Sequence, residues 1–166
     1  MLIIVCGLQG TGKTTASNMI AEKVGGVLFR TDVVRQDITD DPQFTEEENE
    51  KVYRMMFFQA EKLLKQGMPV VLDATFVKQK YRDAAAAVAK KAVSEFKTVE
   101  VISSEEAVKK RLREHFGEGS EAVFKQYQEY KKNFDSIKEP HTTLDNSGSL
   151  EDLNRQVGNF FGNSPI

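Results

Sequence analysis

The stretch Gly7-Leu8-Gln9-Gly10-Thr11-Gly12-Lys13-Thr14 follows directly on the apolar run Leu2–Cys6. It satisfies every fixed position of the phosphate-binding pattern G-x-x-x-x-G-K-[ST]. A nucleoside triphosphate carries most of its charge on phosphate oxygens. Backbone N–H groups can surround them only where a loop is nearly free of side chains, hence the glycines. A helix opening near Lys13 adds its positive N-terminal end. The motif predicts that Lys13 reaches the β- and γ-phosphates and that the Thr14 hydroxyl ligates Mg²⁺. The competing reading, an ordinary glycine turn between a strand and a helix, leaves the complete pattern unexplained. Gly7, Gly10, Thr11, Gly12, Lys13, Thr14 and Thr15 form the candidate nucleotide-binding set.

Outward from this loop, apolar runs alternate with helical periodicity. Leu2–Cys6 reads as a buried strand and Lys13–Val24 as the helix it feeds, stopped by Gly25-Gly26 before a second strand at Val27–Phe29. Thr45 and Glu48 form a capping box that opens a long helix through about Gln66. Within it Val52, Met55, Met56, Leu63 and Leu64 fall near helical spacing and read as core. Pro69–Asp73 is a third strand, and Gln79–Val93 an alanine-rich helix. Phe96–Ile102 is a fourth strand, after which Ser103 with Glu106 caps a helix to about His115. Gly117 and Gly119 break that helix, Glu121–Phe134 is another, Thr142–Asp145 a last short strand and Leu150–Phe161 a closing helix. Five strands alternating with helices predict a mostly parallel sheet in a three-layer α/β/α arrangement. In such sheets ligands bind beyond the C-terminal strand ends.

Composition fits that picture. The chain has 166 residues, 40% hydrophobic and 29% charged, with a net charge of −2, and reads as one domain over residues 1–166. Such a balance excludes a surface wholly committed to nucleic acid or membrane, though not a local basic patch. Cys6 is the single cysteine, so no intrachain disulfide forms; with only His115 and His141 besides, no zinc set is apparent. No signal peptide or membrane-spanning stretch is evident, and the expected address is the cytoplasm.

Acids at strand ends are the next candidates. Asp73 closes Val70-Val71-Leu72-Asp73, where a carboxylate would hold Mg²⁺ directly or through water, or simply cap a helix. Thr75 would position a metal-bound water or serve as an N-cap. Asp32, in Thr31-Asp32-Val33-Val34-Arg35, places a carboxylate near the phosphate rim, suited to orient an acceptor hydroxyl and take its proton. Arg35 lies on the same face if a helix begins there and could hold an anionic part of the acceptor; an Asp N-cap with an i,i+3 ion pair explains the spacing equally well. Lys109-Lys110-Arg111-Leu112-Arg113-Glu114-His115 offers cations for a transferred phosphoryl group or, equally, a solvated helix face. Asp145-Asn146-Ser147-Gly148 has the composition of a turn.

Together these segments resemble the small P-loop kinases related to polynucleotide 5′-kinase, zeta-toxin-type kinases and gluconate kinase. The resemblance covers essentially the whole chain. It rests on Gly7–Thr15, on Thr31-Asp32-x-x-Arg35, on Val71-Leu72-Asp73-Ala74-Thr75 with Arg82 downstream, on the cations near Arg111 and on Asp145-Asn146-Ser147. It implies a P-loop NTPase fold with a helical lid over about residues 111–135. Asp32 is then the base, Arg35 an acceptor-binding group, Arg111 or Arg113 a catalytic lid arginine, and the Asn146 turn a border of the adenine. Two features depart from the pattern. His115 stands where many relatives carry a second lid arginine, and Phe76 stands where polynucleotide kinases tend to place a polar residue. The implied activity is an ATP- and Mg²⁺-dependent kinase acting on a hydroxyl of a small molecule or nucleotide. A polynucleotide 5′-hydroxyl kinase is a less favoured alternative, since strand binding calls for a basic groove. A non-kinase NTPase or nucleotide switch is another, although no N-K-x-D guanine signature occurs.

Overall fold

The structure, a computed structural model, describes residues 1–161. The single-domain reading extends to residue 166, so its last five positions lie outside the described residues. The elements follow in chain order as β1 (Leu2–Cys6), α1 (Lys13–Val24), β2 (Val27–Arg30), α2 (Thr31–Ile38), α3 (Glu46–Lys65), β3 (Val70–Asp73) and α4 (Gln79–Lys91). After them come β4 (Phe96–Ile102), α5 (Glu105–Phe116), a 3₁₀ turn at Gly117–Gly119, α6 (Ser120–Asn133), β5 (His141–Asp145) and α7 (Leu150–Phe161).

One five-stranded sheet runs in the order β2-β3-β1-β4-β5, and every pair in it is parallel. β1 is central and buried on both faces, with all five of its residues at 0% exposure. That is why the run Leu2–Cys6 is continuously apolar rather than alternating. On one face Leu2, Ile4, Val70 and Leu72 pack against Met56 and Ala60 of α3 and Ala85 of α4. On the other, Ile3, Val5, Val71 and Val99 pack against Ile20 of α1 and Leu153 of α7. The strand register sets Val5 opposite Asp73 and Asp73 opposite Arg30. The loops leaving β1, β2 and β3 therefore share one rim at the chain reversal beside the central strand.

Several boundaries differ from the sequence reading, each for a physical reason. β3 begins at Val70, because Pro69 has no N–H to donate, although its carbonyl accepts from Val27 N at 2.9 Å. The helix required to bring Asp32 and Arg35 together does form, as α2. Met55 is not core but 42% exposed, as is its neighbour Phe58 at 60%. The buried stripe of α3 runs Val52, Met56, Ala60, Leu64 at four-residue steps, and Met55 lies off it. The cap of α5 is Ser104, whose hydroxyl accepts from Ala107 N at 3.2 Å, and not Ser103. Ser103 is drawn away to donate to the Asn146 carbonyl at 2.7 Å. No helix among the described residues is long and apolar enough to cross a membrane.

Candidate active site

The loop between β1 and α1 is shaped by close approaches that only glycine permits. At Gly12, φ is 88° and a Cβ would fall on the side-chain nitrogen of Asn146. That nitrogen donates to the Thr11 carbonyl at 2.9 Å, so the turn after β5 is packed directly onto the loop. At Gly7, φ is 144° and a Cβ would collide with the Val101 carbonyl. The Leu8 carbonyl accepts from the Thr11 hydroxyl at 2.7 Å and from Lys13 Nζ at 3.0 Å, which folds the lysine over the loop. The first turn of α1 has no side-chain cap and no acidic residue, leaving its amides directed at the rim. A phosphate chain suits this cradle of amides, lysine and helix end.

Beside the lysine, the Thr14 hydroxyl donates to Asp73 Oδ2 at 3.0 Å, across 59 residues of sequence. Asp73 is 5% exposed. Burial pushes its pKa up, opposed by Lys13, the Thr14 hydroxyl and Arg30, while Asp32 adds to the rise. Burial likewise lowers the pKa of Lys13, with Asp73 the strongest opposing group. A hydroxyl and a carboxylate oxygen side by side at the edge of a phosphate cradle are the hard donors that Mg²⁺ takes, so these residues fit that ion. Thr75 is no helix cap, since α4 is entered through Lys78; its carbonyl accepts from Gly7 N at 3.3 Å. Phe76 is wholly buried, with φ 47°, and its N–H donates to the Tyr53 hydroxyl at 3.2 Å.

Asp32 stands in the first turn of α2, its carboxylate gripped by Arg30 at 3.1 and 2.6 Å and its side chain 61% exposed. The i,i+3 pair with Arg35 does not form. Arg35 is buried and donates instead to Glu48 and to Asn49 Oδ1, the latter at 2.7 Å, with its guanidinium over the Phe44 ring. Glu48 is thereby turned from the return half of the predicted capping box. Thr45 Oγ1 accepts from Glu48 N at 3.2 Å, but the Glu48 carboxylate accepts from Gln43 N at 2.7 Å. That backbone bond, followed by Arg35, holds the Glu48 pKa below the usual carboxylate range. Glu48, Asn49 and Phe44 were missed at sequence level; a polar pair on the inner edge of α3, beside the apolar stripe, was the one available signal.

Two helices, α5 and α6, cover the loop through a small apolar contact of Val108, Leu112 and Tyr127 with Leu8. Arg111 donates to Ser103 Oγ at 2.8 Å and to the carbonyls of Gly10 and Asn146, tying the lid to the loop and to the turn after β5. It lines a recess of about 310 Å³ with Gly12, Lys13, Thr14 and His115. Arg113 is exposed and does not line it, so His115 is the second basic group that the lid brings to the recess. The far end of the lid is held by Arg82, 1% exposed. Arg82 donates to the carbonyls of Phe76, Asp135 and Ser136 at 2.5, 2.7 and 3.1 Å.

A larger cleft of about 830 Å³ joins these parts, with Lys13, Thr14 and Asp73 in its wall and Asp32 and Arg35 also lining it. Cradle, strand-end acid, rim carboxylate and helical cover on a parallel sheet define the P-loop kinase fold. The sequence matches the AAA domain family over residues 2–137, and the chain belongs to that family. Solved structures of similar fold include a gluconokinase from Sinorhizobium meliloti 1021, 18% identical, with a TM-score of 0.73 over 96% of this chain and 90% of that one. An APS kinase from Mycobacterium tuberculosis, in complex with AMPPNP and APS, is also 18% identical, with a TM-score of 0.73 over 96% of this chain and 94% of that one. A sugar kinase from Janibacter sp. HTCC2649 is 17% identical, with a TM-score of 0.72 over 95% and 92%. No curated protein matches the chain by sequence.

Proposed function

We propose that this protein is an ATP- and Mg²⁺-dependent kinase, a single domain over residues 1–166, that transfers the γ-phosphate to a hydroxyl of a small acceptor in the cytoplasm. One observation carries the reading: a single cleft is lined by Lys13, Thr14 and Asp73 and also by Asp32. The loop amides and Lys13 bind the phosphates, and the recess lined by Gly12, Arg111 and His115 takes the nucleoside. Thr14 and Asp73 would hold Mg²⁺, whose chemistry is to neutralise charge on the β- and γ-oxygens.

Asp32 accepts a hydrogen bond from the acceptor hydroxyl, and the Arg30 fork fixes the direction of its carboxylate. As the acceptor oxygen bonds to the γ-phosphorus, its proton passes to Asp32. The bond to the bridging oxygen breaks, and the diphosphate remains on the loop. Arg111 holds the lid on the loop, and Leu112 and Phe116 help to line the cleft, limiting water as a competing acceptor. The gluconokinase and APS kinase folds support phosphoryl transfer as the reaction class.

The test is ADP release from Mg·ATP with a panel of hydroxyl compounds. Turnover should rise with an acceptor, and Asp32→Asn should abolish the rise while leaving ATP affinity nearly intact. Lys13→Ala should lose both affinity and rate. An acceptor-dependent rate unchanged in Asp32→Asn would remove its role as base. A slow rate indifferent to every acceptor would favour an NTPase or switch.

A further inference from the structure

The acceptor half of the cleft carries charged groups, yet each cation already has a carboxylate. Among the described residues, Lys13, Arg35 and Lys78 are the cations that line the cleft, and Lys13 belongs to the phosphate loop. Arg35 and Glu48 are 10% and 12% exposed, and Asn49 holds the other arm of the guanidinium. Glu48 is itself held by Gln43 N at 2.7 Å, a bond that would have to break for it to swing away from the arginine. Lys78 faces Asp135 at 3.5 Å and donates to the Asn133 carbonyl, while Asp135 is fixed by Gln79 N at 2.9 Å. The lining acids are balanced too: Asp32 by Arg30, and Glu46 by Lys80.

An anion brought to Arg35 would meet Glu48 beside it, and drawing Arg35 off would leave that half-buried carboxylate with Gln43 N but without its cation. What the walls offer freely is uncharged. Phe116 and Tyr130 line the cleft, as does Phe44 with the Arg35 guanidinium over its ring, and the Tyr53 and Tyr81 rings stack 3.9 Å apart in its wall. Gln126 and Asn133 add amide groups. Ring faces grip flat apolar C–H or base surfaces, and amides serve hydroxyls.

From this balance we infer that the acceptor is an uncharged polyhydroxyl compound with a flat apolar face, such as a sugar or a nucleoside, rather than an anionic one. The inference rests on the kinase reading and narrows its substrate. It sets aside the anion-binding role expected for Arg35, whose charge Glu48 has already taken. It also disfavours a 5′-hydroxyl oligonucleotide.

Matched pairs test it: a hexose against the corresponding sugar acid, a nucleoside against its 5′-monophosphate, and a nucleoside against a 5′-hydroxyl dinucleotide. Each compound is assayed for ADP release with Mg·ATP. Each is also titrated calorimetrically against the protein holding Mg²⁺ and a non-hydrolysable ATP analogue. The uncharged member should lead its pair by at least about tenfold in kcat/KM and in affinity, and the pair that responds tells a sugar from a nucleoside. Glu48→Gln should narrow that ratio, because the Arg35 charge is then left without its neutralising carboxylate. A wild-type preference for the anionic member, or binding of neither member of any pair, overturns the inference without reference to the variant. Selective binding of the uncharged member without any transfer upholds it and overturns the kinase reading instead.

Discussion

At Asp73, burial and chemistry pull in opposite directions. Burial pushes its pKa above the ordinary carboxylate value, while the site needs the ionised form to hold a cation. The affinity for Mg·nucleotide should therefore fall as pH drops through that raised pKa, earlier in an acid titration than an ordinary aspartate would give. Stability has the opposite sign. The contribution of Asp73 to folding is present below its unfolded pKa and is lost as pH rises through the folded one. Asp73→Asn should thus raise the unfolding free energy at neutral pH while removing the Mg²⁺ dependence of nucleotide binding. A less stable Asp73→Asn protein at neutral pH would contradict this account. Gly12 makes a second residue-scale case. Gly12→Ala must hold φ near 88° and displace the Asn146 amide from Thr11, which should cost about 1–3 kcal/mol in urea unfolding and reduce nucleotide affinity. The glycines were readable in the sequence because their requirement is local; that Asn146 is what Gly12 makes room for was not.

At the scale of elements, the lid hangs between two unlike anchors. Its first end is capped by Ser104 and roofed onto the loop by Arg111, and its last end is clamped by Arg82. Ser104→Ala should cost about 1 kcal/mol through loss of the cap, whereas Ser103→Ala should spare the helix and loosen the Asn146 turn, which hydrogen exchange would separate. Arg82→Ala leaves the carbonyls of Phe76, Asp135 and Ser136 without their donor inside the protein. The expected loss is about 3 kcal/mol or more, with proteolysis appearing near residues 133–136. A change below about 1 kcal/mol would mean that these carbonyls find other partners. Arg82 was visible in the sequence only as one mark of the resemblance; Phe76 is six residues from it, but Asp135 and Ser136 lie more than fifty residues away, beyond the reach of any local pattern.

Over the whole molecule, most resolved carboxylate shifts are downward. Glu48, Glu61, Asp135 and Asp152 are held low by backbone or side-chain donors, with Gln43 N, Lys65, Gln79 N and Ser149 the respective main causes. Groups of this kind stabilise the fold above their unfolded pKa, and that contribution disappears as pH falls through their folded values. Unfolding free energy should therefore decline in acid, below the ordinary carboxylate range, with Asp73 opposing the trend. The side chains of Asp135 and Asp152 are partly exposed, and the lysines that hold Glu61 reach it from solvent, so salt should alter the neutral-pH stability only slightly. A marked loss of stability at high salt and neutral pH would contradict this ledger of weak surface pairs.

The sequence by itself determined the alternation of strands and helices, the loop that cradles phosphate, and the acids closing two strands. Those features depend on backbone conformation, periodicity and turn chemistry within a few residues of each other. Only the tertiary structure decided that Arg35 is matched by Glu48 and Asn49, that Ser103 serves Asn146 rather than α5, and that Met55 faces outward. Such choices follow from which groups burial brings together and which of them must then satisfy one another, a competition no single segment settles alone.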